Sequence, residues 1–244
     1  MIDKILEYFD FPTNCNAIKK LKTYILDNLE LKASDKKIIK TFASSITLHA
    51  IVNQNKINIP RYEDDTKKYV EIYLMSVEVS DKTKMKQISQ ILQIIPKPLI
   101  LIFIFKNEVS IQMATRRMHK NDSTKLLSED FIFSDWFDME NPNELQQRFL
   151  ESLKITNQSF LNLLVFYESY LAKIISFNAS KYSGKVEVNQ NANEILAQIT
   201  SAEQKINELK NKIKKETSIS DKVNMNIELK KLNDKLKSLK EDLK

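Results

Sequence analysis

The fold is decided by a run of seven apolar residues, Leu99-Ile-Leu-Ile-Phe-Ile-Phe105. A strand with one solvated face alternates apolar and polar side chains, whereas a strand that is apolar throughout is buried on both faces. The run is also far shorter than the ~20 apolar residues that a membrane-spanning helix needs. We therefore predict a central strand in a sheet that is flanked by helices.

The segments around this run predict a mixed sheet. Residues Tyr69 to Val79 alternate as a strand does, and Asp81 then opens a helix that ends at Pro96. The order strand, helix, strand predicts a crossover that makes the two strands parallel. After the run, Lys106-Asn107 offers a tight turn and residues 109–113 alternate again, which predicts an antiparallel hairpin partner.

The other segments before residue 184 alternate between helical and extended patterns. Apolar residues at three- and four-residue spacing indicate helices, and short β-branched runs indicate strands. We predict helices over about 18–29, 34–41 with Ser34 as N-cap, 141–153 and 159–177, and strands over 46–52 and 57–59. Together these elements predict an α+β fold.

A change in composition divides the chain at Gly184, which is its one glycine. Every Trp, Tyr and Phe lies before this residue, and the stretch after it is built mainly from Lys, Glu, Asn, Leu and Ile. We therefore predict an α+β globular domain over residues 1–183 and a coiled-coil helical hairpin over residues 184–244.

The C-terminal stretch carries two apolar seams with coiled-coil spacing. They consist of Ile195, Ile199, Ala202, Ile206, Leu209 and Ile213, and of Met225, Leu229, Leu232, Leu236, Leu239 and Leu243. The second seam resumes out of phase after a break between Thr217 and Asp221, where Ser218 or Ser220 can act as N-cap. We favour two antiparallel helices, because a turn accommodates such a phase shift more easily than a stutter. The alternative is one long helix that pairs with a second copy.

Composition limits the chemistry that the chain can perform. Phosphate-binding and dinucleotide-binding loops need several glycines, and this chain has one. One Cys and two His cannot form the usual tetrahedral zinc site, and Cys15 has no disulfide partner within the chain, which favours a reducing compartment. Without a leader or a membrane span, we expect a cytoplasmic protein with no membrane contact, no bound metal and no small-molecule cofactor.

One set of acidic and basic residues resembles the metal site of restriction-endonuclease-like nucleases. Asp65 precedes a predicted strand, Glu78 lies on that strand, and Lys82 and Lys84 follow it. Two carboxylates hold Mg²⁺ in such sites. The lysine should follow the glutamate by two positions, where Ser80 stands. Because the lysine is displaced from this position, we keep a divergent magnesium site only as an alternative.

The densest basic cluster comprises Arg116, Arg117, Lys120 and Lys125. A guanidinium group can donate two hydrogen bonds to phosphate oxygens at once. The cluster therefore predicts contact with nucleic acid, and the alternative is a solvated loop.

Trp136 is either an aromatic anchor for a partner protein or a buried lid over the sheet. A two-helix hairpin is marginally stable alone, which predicts that it packs against its own globular domain, a second copy or another protein. The residues that we assign to partner binding in the hairpin are Ile206, Leu209, Ile213, Leu229, Leu232 and Leu236.

Three stretches of the chain resemble a bacterial family catalogued as domain of unknown function 4391. They are the opening Met1-Ile-Asp-Lys-Ile-Leu with the strands at 71–78 and 98–104, Phe131-Ile-Phe-Ser-Asp-Trp136, and Lys222-Val-Asn-Met-Asn-Ile-Glu-Leu-Lys-Lys-Leu232. The sequence departs from the family pattern at Val79-Ser80-Asp81. The resemblance brings no catalytic residues, and it implies genes that lie beside helicases and DNA methyltransferases in restriction-like phage-defence loci.

These observations favour binding over catalysis. We expect a non-catalytic adaptor, or accessory subunit, of an anti-phage defence system. Its coil would dock on a helicase, a nuclease or a methyltransferase, or on a second copy. The alternatives are a divergent Mg²⁺ nuclease and a nucleic-acid-binding module.

Overall fold

The chain folds as an α+β protein in a computed structural model that describes residues 1–119, 122–184 and 191–243. The helices are α1 Ile2–Phe9, α2 Lys22–Asn28, α3 Ala33–Phe42, α4 Gln54–Ile57, α5 Met85–Leu92, α6 Glu144–Ser152, α7 Leu163–Ser183, α8 Ala192–Lys215 and α9 Ile219–Glu241. The strands are β1 Asn16–Lys20, β2 Ala43–Asn53, β3 Tyr62–Glu63, β4 Lys68–Tyr69, β5 Glu71–Val79, β6 Leu99–Phe105, β7 Glu108–His119, β8 Asp122–Phe133 and β9 Phe137–Asp138. The predicted fold class is confirmed.

The main sheet has seven strands and is mixed, as predicted. Its order is β1-β2-β5-β6-β7-β8, with β9 paired to β7, while β3 and β4 form a separate ribbon. Strands β5 and β6 are parallel and joined through α5, and β6 and β7 form an antiparallel hairpin. Lys106 adopts φ 55° in the turn between them. Strand β6 is buried along both faces, apart from the half-buried Phe105 at its end.

Helices cover both faces of this sheet. On the first face, one apolar cluster joins Ile25 of α2, Ile39 of α3 and Ile88 of α5 to alternate residues of the strands. On the second face, Ile104 pairs with Val109, which pairs in turn with Phe137, so the three side chains share that face. The Phe137 ring contacts Phe149 of α6 at a centroid distance of 6.0 Å. Helix α6 therefore covers the second face.

Three local predictions are wrong. Ile18 lies in β1, where it is 78% exposed, because the backbone of residues 16–20 pairs with β2 before α2 begins. Residues 57–59 form no strand, since α4 ends there at Asn58 in the left-handed conformation. The N-cap of α3 is Lys32 rather than Ser34, and its side chain makes no capping bond.

The chain divides into two compact units, residues 1–174 and residues 175–244, and the division falls within α7. The predicted boundary after residue 183 lies nine positions later and stays a prediction. The first unit contains the sheet. In the second unit, one apolar cluster contains Ala179 from the end of α7, Ala192 and Ile199 from α8, and Leu239 from α9.

Helices α8 and α9 pack against each other as the predicted hairpin. The three-residue connection is closed by side chains. The Glu216 carboxylate accepts hydrogen bonds from the backbone N–H groups of Thr217 and Ser218 at 2.8 and 2.9 Å, which lowers its pKa. Ser218 is the N-cap of α9, and its hydroxyl oxygen accepts from the Asp221 N–H. None of the helices in the described part of the chain combines the length and apolarity that crossing a bilayer requires.

Candidate functional site

The residues of the alternative magnesium site lie at opposite ends of the sheet. Asp65 is next to Thr66, whose carbonyl oxygen accepts a hydrogen bond from the Met118 N–H at 2.6 Å. Glu78 is opposite Ile104, which pairs with Val109 near the start of β7. Nine positions along β7 separate Val109 from Met118, which corresponds to about 30 Å. Asp65 and Glu78 therefore cannot share one ion, and the described residues include no group of three or more His, Cys, Asp or Glu placed to hold a metal.

Asp64, the neighbour of Asp65, has a structural role in the ribbon. Its carboxylate accepts hydrogen bonds from the Tyr62 hydroxyl group and from the backbone N–H groups of Thr66 and Lys67. These bonds hold the pKa of Asp64 well below its usual range, with the Tyr62 bond as the largest cause. The carboxylate is thus engaged in closing the turn between β3 and β4.

Lys82 and Lys84 lie against aromatic rings after the end of β5. The Lys82 ammonium group forms an ion pair with Glu108 and lies 5.0 Å from the centroid of the Trp136 ring. Lys84 lies 5.2 Å from the centroid of the Phe42 ring. Trp136 is half-buried and packs against the cluster on the first face of the sheet. Trp136 thus lies against the first face of the sheet while part of its ring stays accessible, so its role in partner binding stays a prediction.

Arg116 does not occupy the exposed position that phosphate binding requires. Its side chain is 2% exposed and points from β7 towards the C-terminal end of α5. The guanidinium group donates hydrogen bonds to the carbonyl oxygens of Ile95 at 3.0 Å, of Gln93 at 2.7 Å and of Lys97. The donors of Arg116 are thus engaged by the backbone after α5, and its role in nucleic-acid binding stays a prediction.

The other members of the predicted basic cluster do not form a joint site in the described structure. Arg117 is half-buried and forms an ion pair with Glu129 across the β7 and β8 pair. Lys120 and the side chain of Lys125 lie outside the described residues. The described part of this cluster is therefore one buried arginine and one paired arginine.

The predicted partner-binding residues of the hairpin lie in its interior seam. Ile206 and Leu209 of α8 are buried, and the remaining residues are half-buried. Those half-buried residues are Ile213, Leu229, Leu232 and Leu236. Because α8 and α9 pack along this seam, its side chains hold the hairpin together.

A second apolar stripe on α9 faces solvent. Ile219, Val223 and Ile227 follow one another at four-residue spacing and are 80%, 52% and 53% exposed. At 3.6 residues per turn they share one side of the helix, away from Met225 and Leu229 of the seam. Beyond Ile227 this side continues with Lys230 and Asp234. The apolar stripe is thus confined to the first turns of α9, next to the hairpin turn.

The comparison with protein families identifies the chain. A family model described as Domain of unknown function (DUF4391) matches residues 9–236, which is most of the chain. The chain belongs to the DUF4391 family. The predicted family resemblance is confirmed, whereas the link between DUF4391 and defence loci stays a prediction. No curated protein and no solved structure gives a significant match to the chain.

The exposed stripe of this DUF4391 chain was not among the predicted site residues. The signal was present in the sequence, because an apolar residue recurs every four positions from Ile219 on a side of α9 that the seam does not use. Sequence reasoning assigned one seam to each helix and therefore overlooked a second apolar side.

Proposed function

We propose that this DUF4391 chain is a non-catalytic adaptor that binds a partner protein through the exposed side of its helical hairpin. The observation that supports this proposal is the stripe of Ile219, Val223 and Ile227. Burying one such side chain contributes about 1.5–3 kcal/mol. Three of them in line give an amphipathic helix the anchors that helix-in-groove recognition uses.

The charges near the stripe favour a partner helix with acidic flanks. Four exposed lysines occupy the last turns of α8, which lead into the hairpin turn: Lys210, Lys212, Lys214 and Lys215. Between residues 208 and 231 the chain has seven lysines and four acidic side chains. An amphipathic helix with Asp or Glu beside its apolar side would match this surface, and charge complementarity would set its orientation.

We further propose that the partner is a helicase, a nuclease or a methyltransferase of a restriction-like anti-phage locus, as the family resemblance implies. A catalytic role for this chain is not part of the proposal, because Asp65 and Glu78 lie about 30 Å apart along the sheet. The partner would supply the chemistry and the hairpin would supply the attachment.

The test replaces the three stripe residues by glutamine, as Ile219→Gln, Val223→Gln and Ile227→Gln. The matched control carries Asn224→Gln, Lys235→Gln and Lys237→Gln, which are also exposed positions of α9 but lie outside the stripe and its flanking lysines. Each full-length variant is co-expressed with the proteins encoded by neighbouring genes. We expect the stripe variant to lose at least about tenfold in partner affinity by titration calorimetry, corresponding to about 1.4 kcal/mol, and the control to bind as the parent does.

Two outcomes contradict the proposal. One is equal partner binding by the stripe variant and the parent. The other is a parent dimer that becomes monomeric in the stripe variant by light scattering, since the stripe would then bind a second copy. The stripe side chains are exposed, so thermal unfolding of both variants should match the parent and exclude misfolding as the cause.

A further inference from the structure

The positive charge of the chain is concentrated in two segments. Residues 16–42 and 80–98 contain eleven lysines and four acidic side chains, a net charge of +7, whereas the whole chain has +6. The remaining residues therefore sum to −1. These segments supply β1, α2, α3 and α5. All of the net positive charge thus belongs to one group of elements.

These elements lie on one face of the sheet. Ile25 of α2, Ile39 of α3 and Ile88 of α5 belong to the same apolar cluster, with their polar sides towards solvent. The Lys22 ammonium group donates a hydrogen bond of 3.5 Å to the Lys40 carbonyl oxygen, which joins α2 to the end of α3. Lys84 lies over Phe42, the last residue of α3. Lysines from α2, from α3 and from the turn that precedes α5 therefore meet around the C-terminal end of α3.

Helix α3 carries the centre of this charge. Lys32, Lys36 and Lys40 follow at four-residue spacing, and Lys37 lies beside them. Like charges four positions apart on a helix are mutually destabilising. In the described part of the chain, Lys32, Lys36 and Lys40 form no ion pair with a carboxylate. No direct ion pair therefore relieves the repulsion along α3, whose one acidic residue is Asp35 in the first turn.

We propose that this basic face, which comprises Lys19, Lys22, Lys32, Lys36, Lys40 and Lys84, binds the phosphate backbone of duplex nucleic acid without reading its sequence. The row from Lys32 to Lys40 extends about 12 Å along the helix axis. A duplex carries one phosphate charge per ~1.7 Å of its axis, so the row faces several phosphates at once. This site lies in the first unit and is independent of the proposed role of the hairpin.

The composition of the basic face argues against base readout. The two segments contain no arginine, the residue that most often binds guanine edges in a bidentate manner. Tyr24 is the one exposed aromatic side chain of α2, whereas single-strand binding uses several rings on which successive bases stack. Lysine ammonium groups act as point charges on phosphates. Affinity should therefore follow charge and salt rather than sequence.

The test measures binding of the full-length protein to a labelled DNA duplex by fluorescence anisotropy over a range of salt concentrations. The test variant is Lys32→Glu/Lys36→Glu/Lys40→Glu. The control, Lys231→Glu/Lys235→Glu/Lys237→Glu, makes the same charge change at exposed positions of α9. We expect the test variant to bind at least about tenfold more weakly, with a slope of log K against log salt that is shallower by about 2.7. The control should keep the parent slope.

Four outcomes overturn the proposal. The first three are equal slopes for the parent and the test variant, equal losses of affinity in the test variant and the control, and a difference in affinity of about tenfold or more between duplexes of unrelated sequence. Binding to polyglutamate or anionic vesicles without duplex binding would also reject nucleic acid as the ligand. The milder Lys32→Gln/Lys36→Gln/Lys40→Gln variant should lose the same slope, which guards against misfolding. Partner capture through the hairpin should persist in both α3 variants, so the two proposals can fail separately.

Discussion

Arg116 closes the C-terminal end of α5 from a neighbouring strand. The last carbonyl groups of a helix lack intrahelical partners, and the helix dipole places negative partial charge there. Arg116 brings a buried positive charge to the carbonyl oxygens of Gln93, Ile95 and Lys97. Burial lowers the pKa of this guanidinium group from a very high ordinary value. The arginine therefore joins the end of α5 to the sheet.

We expect Arg116→Met to lower the free energy of unfolding by about 3 kcal/mol, because several buried carbonyl oxygens lose a charged donor. Arg117→Met is the matched control at the adjacent position, where the half-exposed pair with Glu129 contributes about 1 kcal/mol or less. Urea unfolding of both variants measures the difference. Equal losses of unfolding free energy in the two variants would show that the carbonyl contacts of Arg116 contribute no more than the Arg117 ion pair does.

His49 links folding to pH. Its Nε2 atom lies 2.8 Å from the Ser76 hydroxyl oxygen, and Ser76 is buried. Burial lowers the pKa of His49, with a smaller opposing effect of Asp3. The unfolded chain therefore binds a proton more readily than the folded chain, starting near the ordinary histidine pKa of about 6.5. The contribution of His49 to stability is full above that pH and decreases as the pH falls below it.

We expect His49→Gln to reduce the loss of stability between pH 7 and pH 5, because glutamine does not titrate there and still offers Ser76 a hydrogen-bond partner. Urea midpoints of the parent and the variant at several pH values check this expectation. If both proteins lose the same stability over this range, another group is responsible for the pH dependence.

At the scale of elements, the sequence predicts correctly wherever local signals agree with tertiary contacts. The apolar run of β6 predicts burial on both faces, and both faces are covered. The phase shift after Thr217 predicts a turn, and Ser218 caps α9 there. In each case the deciding residues are neighbours in the sequence, so no distant contact is needed to place them.

Prediction fails where pairing between distant segments decides the structure. Ile18 has helical spacing with Leu21 and Ile25, yet its backbone pairs with β2. Strand β8 shows little alternation and is ordered against β7, so it was missed. Such tertiary pairing overrides a local preference of a few tenths of a kcal/mol per residue.

The candidate sites also differ in whether neighbouring residues or distant segments determine them. The stripe on α9 was readable, because its three residues lie within nine positions of the sequence. The basic face was not, because residues 16–42 and 80–98 become neighbours only when α3 and α5 pack on the sheet. The burial of Arg116 was also unreadable, since nothing near it in the sequence identifies the carbonyl oxygens after α5 as its partners.

At the scale of the whole molecule, the two compact units have separate cores. The cluster on the first face of the sheet draws its residues from positions 17 to 136, and the cluster of the second unit begins at Ile175. A core that contains all of its own packing partners folds cooperatively without the rest of the chain. We therefore expect the first unit to fold without the second.

We expect the fragments 1–174 and 1–183 both to unfold cooperatively in urea, as monitored by circular dichroism. The longer fragment should be less soluble, because Ala179 and Tyr182 lose their packing partners from α8 and α9. The full chain is the reference for cooperativity. A gradual, non-cooperative loss of signal in both fragments would show that the first unit depends on the second.

Strand β1 has a consequence for storage and handling of the protein. Among the described residues β1 pairs with β2 alone, so it is an edge strand. The N–H and C=O groups on its outer side can pair with a strand of another molecule. Lys19 and Lys20 are exposed on this edge strand, next to the exposed Ile18. Their positive charges repel the β1 strand of a second molecule, and salt weakens that repulsion by screening. Protection against edge-to-edge strand addition is therefore strongest at low ionic strength.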